Sequence, residues 1–306
     1  MSHHHDHGHH HHSCDHHHHH ATAKNLKLAF ALNFLFTLIE FVGGVLTNSM
    51  AIISDAVHDL GDTLAIGMSL FFERISHKKS DERFSYGYKR FALVSALINS
   101  IILLVGSLFV IYKTVPRLIS PEPVDAGGMV LLAIFGVLVN GAAVLRLKSG
   151  KSANERVIML HLLEDALGWV AVLAGSIVMY FFDLPVIDPI LSIAISAFIL
   201  WNVFKNLKDF IATFLQGVPE GVDVTAVQRR IETIENVLSA HDVHIWTMDG
   251  SYNIISAHVV IADHLEKEAL LKAKADVKQL IRSLGIQHET IEFEYESETC
   301  DFVNCC

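Results

Sequence analysis

The sequence predicts a polytopic α-helical membrane protein of six transmembrane helices, followed by a C-terminal cytosolic α+β domain. Three observations predict it: six hydrophobic runs of about 20 residues, an uneven sharing of Lys and Arg between the connecting loops, and a shift to soluble-domain composition near Gln216. With 51% hydrophobic residues in 306 and a mean hydropathy of +0.39, the chain carries more long apolar runs than a soluble core can use. A helix needs about 20 such residues to cross a ~30 Å hydrocarbon layer.

The candidate spans are Leu26–Leu46, Met50–Phe72, Phe91–Tyr112, Gly127–Leu147, Val157–Phe182 and Val186–Phe204. The breaks carry turn chemistry: Thr47-Asn48-Ser49, Ser120-Pro121-Glu122-Pro123, Lys148-Ser149-Gly150-Lys151 and Asp183-Leu184-Pro185. Arg74, Lys78, Lys79, Arg83, Lys89 and Arg90 follow the second span, Arg146, Lys148, Lys151 and Arg156 the fourth, and Lys205 and Lys208 the sixth. The opposite loops hold Lys113 and Arg117, so the positive-inside rule places both termini in the cytosol. Met1–His20 lacks the cationic-then-apolar order of a signal peptide.

Beyond Gln216, Asp223–Val237 has helical periodicity, with Val227, Ile231 and Ile234 on one stripe. His241–Met248 and Tyr252–Ile261 read as strands joined by an Asp249-Gly250 turn, Leu265–Leu284 as an amphipathic helix, and Glu289–Tyr295 as a third strand. The order αββαβ describes a small α+β domain. The expected divisions are a His-rich flexible cytosolic tail (1–24), a transmembrane domain (25–210), a cytosolic domain (211–298) and a Cys-containing tail (299–306).

Ionisable side chains at bilayer depth cost roughly 2.5–3.5 kcal/mol even on lenient insertion scales, so they mark function. The second span carries Asp55, His58, Asp59 and Asp62, and the fifth His161, Glu164 and Asp165. Within each, His and Asp stand four residues apart and therefore share a helix face. Two such faces, His58/Asp62 and His161/Asp165, offer two imidazoles and two carboxylates, a tetrahedral set suited to Zn²⁺ or a similar ion. Two carboxylates balance a dication, whereas the empty set repels itself until protons neutralise it. Metal–proton exchange is the expected consequence, with Zn²⁺ as transported substrate and H⁺ as counter-ion. Asp55, Asp59 and Glu164 are candidates for supporting the ligands or carrying protons.

The alternatives are a membrane metalloenzyme and a metal sensor. No His-Glu-x-x-His motif or Gly-x-Ser-x-Gly elbow accompanies the ligands, and a sensor does not need six spans with ligands at bilayer depth. The chain is therefore expected not to be an enzyme, and no nucleic-acid partner is expected.

These residues resemble the cation diffusion facilitator family, in its zinc-transporting branch. The resemblance rests on Ser54-Asp55-Ala56-Val57-His58-Asp59-Leu60-Gly61-Asp62, on Phe84-Ser85-Tyr86-Gly87-Tyr88-Lys89-Arg90, and on Leu160-His161-Leu162-Leu163-Glu164-Asp165-Ala166-Leu167-Gly168. Asp188-Pro189 and His241-Asp242-Val243-His244-Ile245-Trp246 add to it. It implies a six-helix bundle, a ferredoxin-like or metallochaperone-like cytosolic domain, a homodimer in the lipid bilayer, and zinc export by proton antiport. A His-Asp pair on the second helix implies a preference for zinc over cadmium.

The resemblance also maps His241, His258 and Glu294 to a cytosolic zinc site for a bound regulatory ion. It suggests an accessory site from Cys300, Cys305 and Cys306 with Cys14, which otherwise read as reduced thiols. Alternation along the strand places His244 and Trp246 opposite His241, as packing residues. In the loop after the second span, Asp81-Glu82-Arg83-Phe84 with Tyr88 departs from the second metal site of some family members. The tail holds thirteen of the 21 histidines, interleaved too irregularly for an affinity tag, and is expected to gather metal at the cytosolic mouth. Length and short loops suit a bacterial inner membrane.

Overall fold

The computed structural model describes residues 17–76, 78, 80–147 and 153–298. All six expected spans are helical: α1 His17–Thr47, α2 Met50–Ser76, α3 Phe91–Ile119, α4 Ala126–Leu147, α5 Ala153–Phe182 and α6 Ile187–Phe214. Five are long and apolar enough to cross a bilayer on composition alone; α2 is the further helix, its apolar character diluted by Asp55, Asp59 and Asp62. Several helices outrun their apolar runs. α1 begins at His17, α3 continues past Tyr112 to Ile119, and α6 past Phe204 to Phe214. Hydropathy measures the thickness of the apolar layer, whereas helix hydrogen bonding continues while the residues remain good formers. Large apolar side chains such as Leu32, Leu35, Val105, Phe109, Trp201 and Phe204 are exposed, the inverse of a soluble helix.

The chain forms two compact units, one from Pro121–Leu191 with the chain up to Leu70, the other from Phe71–Ser120 with the chain from Ser192 onward. In the first, glycines let helices approach closely. The Trp169 indole of α5 occupies the space a side chain at Gly136 of α4 would need, and Ile53 of α2 does the same at Gly44 of α1. Phe36 of α1 meets Trp169 edge-on at 6.1 Å between centroids. Asn48, at φ +55, turns the chain between α1 and α2, and its side chain donates to the Pro123 carbonyl at 3.0 Å.

In the second unit, Thr114 of α3 and Ser192 of α6 share a hydrogen bond of 3.1 Å. Beyond α6 stand α7 Val224–Glu232, β1 Val237–Thr247, β2 Asn253–Ile261, α8 Lys267–Ser283 and β3 His288–Tyr295, the expected αββαβ order. Asp223 caps α7, accepting from the Ala226 amide at 3.1 Å. The sheet runs β1-β2-β3, antiparallel then parallel, with α8 as the crossover a parallel pair requires. Val227, Ile231, Ile245, Ile255, Val259, Val277 and Ile281 form the core between helices and sheet. Alternation therefore leaves His258 and Ser256 on the sheet face away from that core. The loop before α3 meets this domain through the Lys89 ammonium over the Tyr252 ring, 3.1 Å from its centroid, and through Tyr86 against His288.

Candidate metal centre

Within the first unit, α2 presents His58 and Asp62, and α5 presents His161 and Asp165, toward one point. One ligand atom from each lies within 4.8 Å of all the others. Each imidazole sits nearer the carboxylate of the opposite helix than that of its own. His58 Nε2 is 3.4 Å from Asp165 and 3.9 Å from Asp62; His161 Nε2 is 3.0 Å from Asp62 and 3.9 Å from Asp165. The result is an alternating ring of imidazole and carboxylate that ties α2 to α5. A tetrahedral ion with bonds of ~2.0–2.2 Å separates its ligands by roughly 3.3–3.6 Å, within the span of these distances. Asp165 Oδ1 is buried and faces His58 Nε2, which suits an oxygen that binds a cation beside an imidazole. His161 is the exposed member at 43% of its side chain, and Asp165 the enclosed one at 11%, so access is from the His161 side.

A second group of ligand type lies on the sheet face away from the core. His241 of β1, His258 of β2 and Glu294 of β3 bring ligand atoms within 4.8 Å of one another. Glu294 takes a close contact from His258 Nδ1 and lies 3.5 Å from His241 Nε2. Asp242 and Glu292 approach His258 Nε2 at 3.9 and 3.7 Å. Simple alternation misplaces His244 and Trp246 on this strand. The register passes from His241↔His258 to His244↔Ser256, so β1 carries one residue more than β2 between them. That bulge, with Asp242 at φ +49, turns His244 and Trp246 onto the face of His241. His244 is exposed, with its Nε2 2.8 Å from Asp242 Oδ1.

Comparison with known proteins covers both the helical part of the chain and the part that follows it. Residues 26–215 match the family described as the cation efflux transmembrane domain, and residues 219–296 match the cation efflux protein cytoplasmic domain. The chain belongs to the cation efflux family. Relatives include a cadmium, cobalt and zinc/H⁺-K⁺ antiporter of Bacillus subtilis, 33% identical over 94% of this chain and 93% of its own. The metal cation efflux system protein CzcD of Cupriavidus metallidurans is 33% identical over 89% and 86%. The zinc transporter ZitB of Escherichia coli K12 is 32% identical over 90% and 88%.

In this cation efflux protein the other expected site residues separate by environment. Asp55 and Asp59 are buried in α2, whereas Glu164 is exposed on α5. Cys14, Cys300, Cys305 and Cys306 lie outside the described residues. Asp81 is engaged within its own loop. The Tyr88 hydroxyl donates to it at 2.6 Å and, with the Phe84 and Arg83 amides, holds its carboxyl below the ordinary carboxylate range.

Two acids without a role in the sequence reading are built into the site's frame. Asp188, fully buried at the start of α6, accepts from the Ser49 hydroxyl at 2.6 Å and from the Met50 and Ala51 amides at 2.8 and 3.1 Å. It thus caps the helix that carries His58 and Asp62. Glu40, 2% exposed in α1, lies beside Asp59. A lone carboxylate at mid-span was the available signal for Glu40. For Asp188 no sequence signal distinguishes a cap of its own helix from a cap of another.

Proposed function

We propose that this protein exports Zn²⁺ from the cytosol in exchange for protons, by alternating access through His58, Asp62, His161 and Asp165. The observation that carries the reading is the alternating ring of two imidazoles and two carboxylates across two membrane helices. The names of the relatives, which include a zinc transporter and a cadmium, cobalt and zinc/H⁺-K⁺ antiporter, support both the cargo and the exchange. The two carboxylates neutralise the dication, and four protein ligands leave no position for activating water, which favours carriage over hydrolysis. When the ion leaves, protons replace its charge, so the empty carrier returns without two bare carboxylates facing each other. Asp55 and Asp59 support the ring from within α2.

The Lys and Arg distribution supports cytosolic termini, and the bacterial origin of the relatives favours a plasma membrane. The cytoplasmic-domain family is labelled for dimers, which supports a homodimer. His241, His258 and Glu294 would hold a resident regulatory zinc ion that supplies a cross-link between three strands. The N-terminal histidines and the terminal cysteines lend accessory metal affinity on the same side.

The test is zinc flux into proteoliposomes under an imposed pH gradient. Asp62→Ala and Asp165→Ala are each expected to reduce flux by more than the ~10–100-fold that loss of an outer partner costs a metal site. Flux that ignores the gradient, or that survives both substitutions, would exclude the mechanism.

A further inference from the structure

The second unit contains a cavity of about 360 Å³ that ion carriage leaves without a role. It lies where the apolar run of α3 begins, at Phe91, and Arg83, Tyr86, Arg90, Phe91, Gln216 and Trp246 contribute to its wall. Arg83 and Arg90 line it, and among the described residues no Asp or Glu does. Gln216 offers an amide, which does not neutralise them. The Arg90 Nε is buried and has no hydrogen-bond partner. A buried donor on a permanent cation is costly to leave unmade, so this geometry suits an anionic acceptor. Two lysines of the same loop have aromatic partners. Lys89 lies 3.1 Å from the centroid of the Tyr252 ring, and Lys78 5.7 Å from that of Tyr88.

We propose that this cavity binds the phosphodiester headgroup of an anionic phospholipid, with Arg83 and Arg90 donating to the phosphate oxygens. Guanidinium groups match phosphate in charge and in fork geometry. The rings of Tyr86, Phe91 and Trp246 pack against the glycerol backbone and the first acyl carbons. A free phosphate would use the two arginines but not the aromatic wall. The end of an apolar helix, rich in basic and aromatic residues, is the depth at which headgroups lie. Because the wall includes Trp246 at the end of β1 and Gln216 just after α6, a bound headgroup bridges the cytoplasmic domain and the helix ends.

Native mass spectrometry of the full-length protein in detergent would test this, with phosphatidylglycerol, phosphatidylcholine or inorganic phosphate added in turn. The parent is expected to retain phosphatidylglycerol over phosphatidylcholine, with inorganic phosphate failing to displace it. Arg90→Gln and Arg83→Gln are each expected to weaken that retention by roughly tenfold. Arg83 is exposed on the loop, so its variant decides the matter should Arg90→Gln fold poorly. Equal retention of the two lipids, unchanged retention in Arg83→Gln, or binding of inorganic phosphate in place of lipid would each overturn the proposal.

Discussion

Asp188 shows how a residue far from the chemistry can set it. Its carboxylate satisfies three donors at the head of α2. Asp188→Ala should leave those buried donors without a partner and cost about 2–4 kcal/mol, judged from charge-assisted bonds and helix caps. Thermal denaturation in detergent would report it as a lowered Tm, partly recovered by Asp188→Asn. Zinc affinity should weaken in parallel, since His58 and Asp62 ride on the same helix. An unaltered Tm would mean that Ser49 alone caps α2. Glu40 is the converse case, a buried acid beside a second acid.

The bulge in β1 matters most among the elements. It inserts one residue between His241 and His244 and so decides which side chains share the face of His258 and Glu294. Asp242 holds the left-handed conformation this requires, at φ +49, and an aspartate tolerates that conformation better than a branched residue does. Asp242→Val is therefore expected to destabilise the full-length protein by about 1–2 kcal/mol, while Asp242→Gly does not. Denaturation followed by Trp246 fluorescence would check both, and equal stability of the valine variant would show that the bulge bears no strain. The long helices show a related effect: α3 and α6 extend beyond their apolar runs because backbone hydrogen bonding outlasts hydropathy.

At the scale of the molecule, the N-terminal histidines and the proposed carrier ring belong to different parts of the chain. On the proposed mechanism the thirteen N-terminal histidines act as weak, exchangeable ligands, and the ring's four donors carry the ion by themselves. Deleting residues 2–20 should therefore raise the zinc concentration needed for half-maximal flux by a few-fold at most, leaving the maximal rate intact. The same proteoliposome assay measures both quantities. Abolished transport in the deletion would make the tail part of the pathway.

Much of this protein was legible from local signals. Apolar run length predicted the helices, turn chemistry predicted their breaks, and the i, i+4 spacing of His58 with Asp62 and of His161 with Asp165 predicted two ligand faces. These depend on residues close in sequence, so a one-dimensional reading reaches them. Which faces meet is a different question. The cross-helix preference of each imidazole, the capping of α2 by Asp188 from α6, and the burial of Glu40 beside Asp59 join residues up to 139 apart in the chain. The bulge at Asp242 reversed a face assignment that alternation made, because a single unpaired residue shifts every later side chain. Sequence by itself determined the helices and the donors they carry; only the tertiary structure decided which donors stand across from which, since that depends on packing between distant segments.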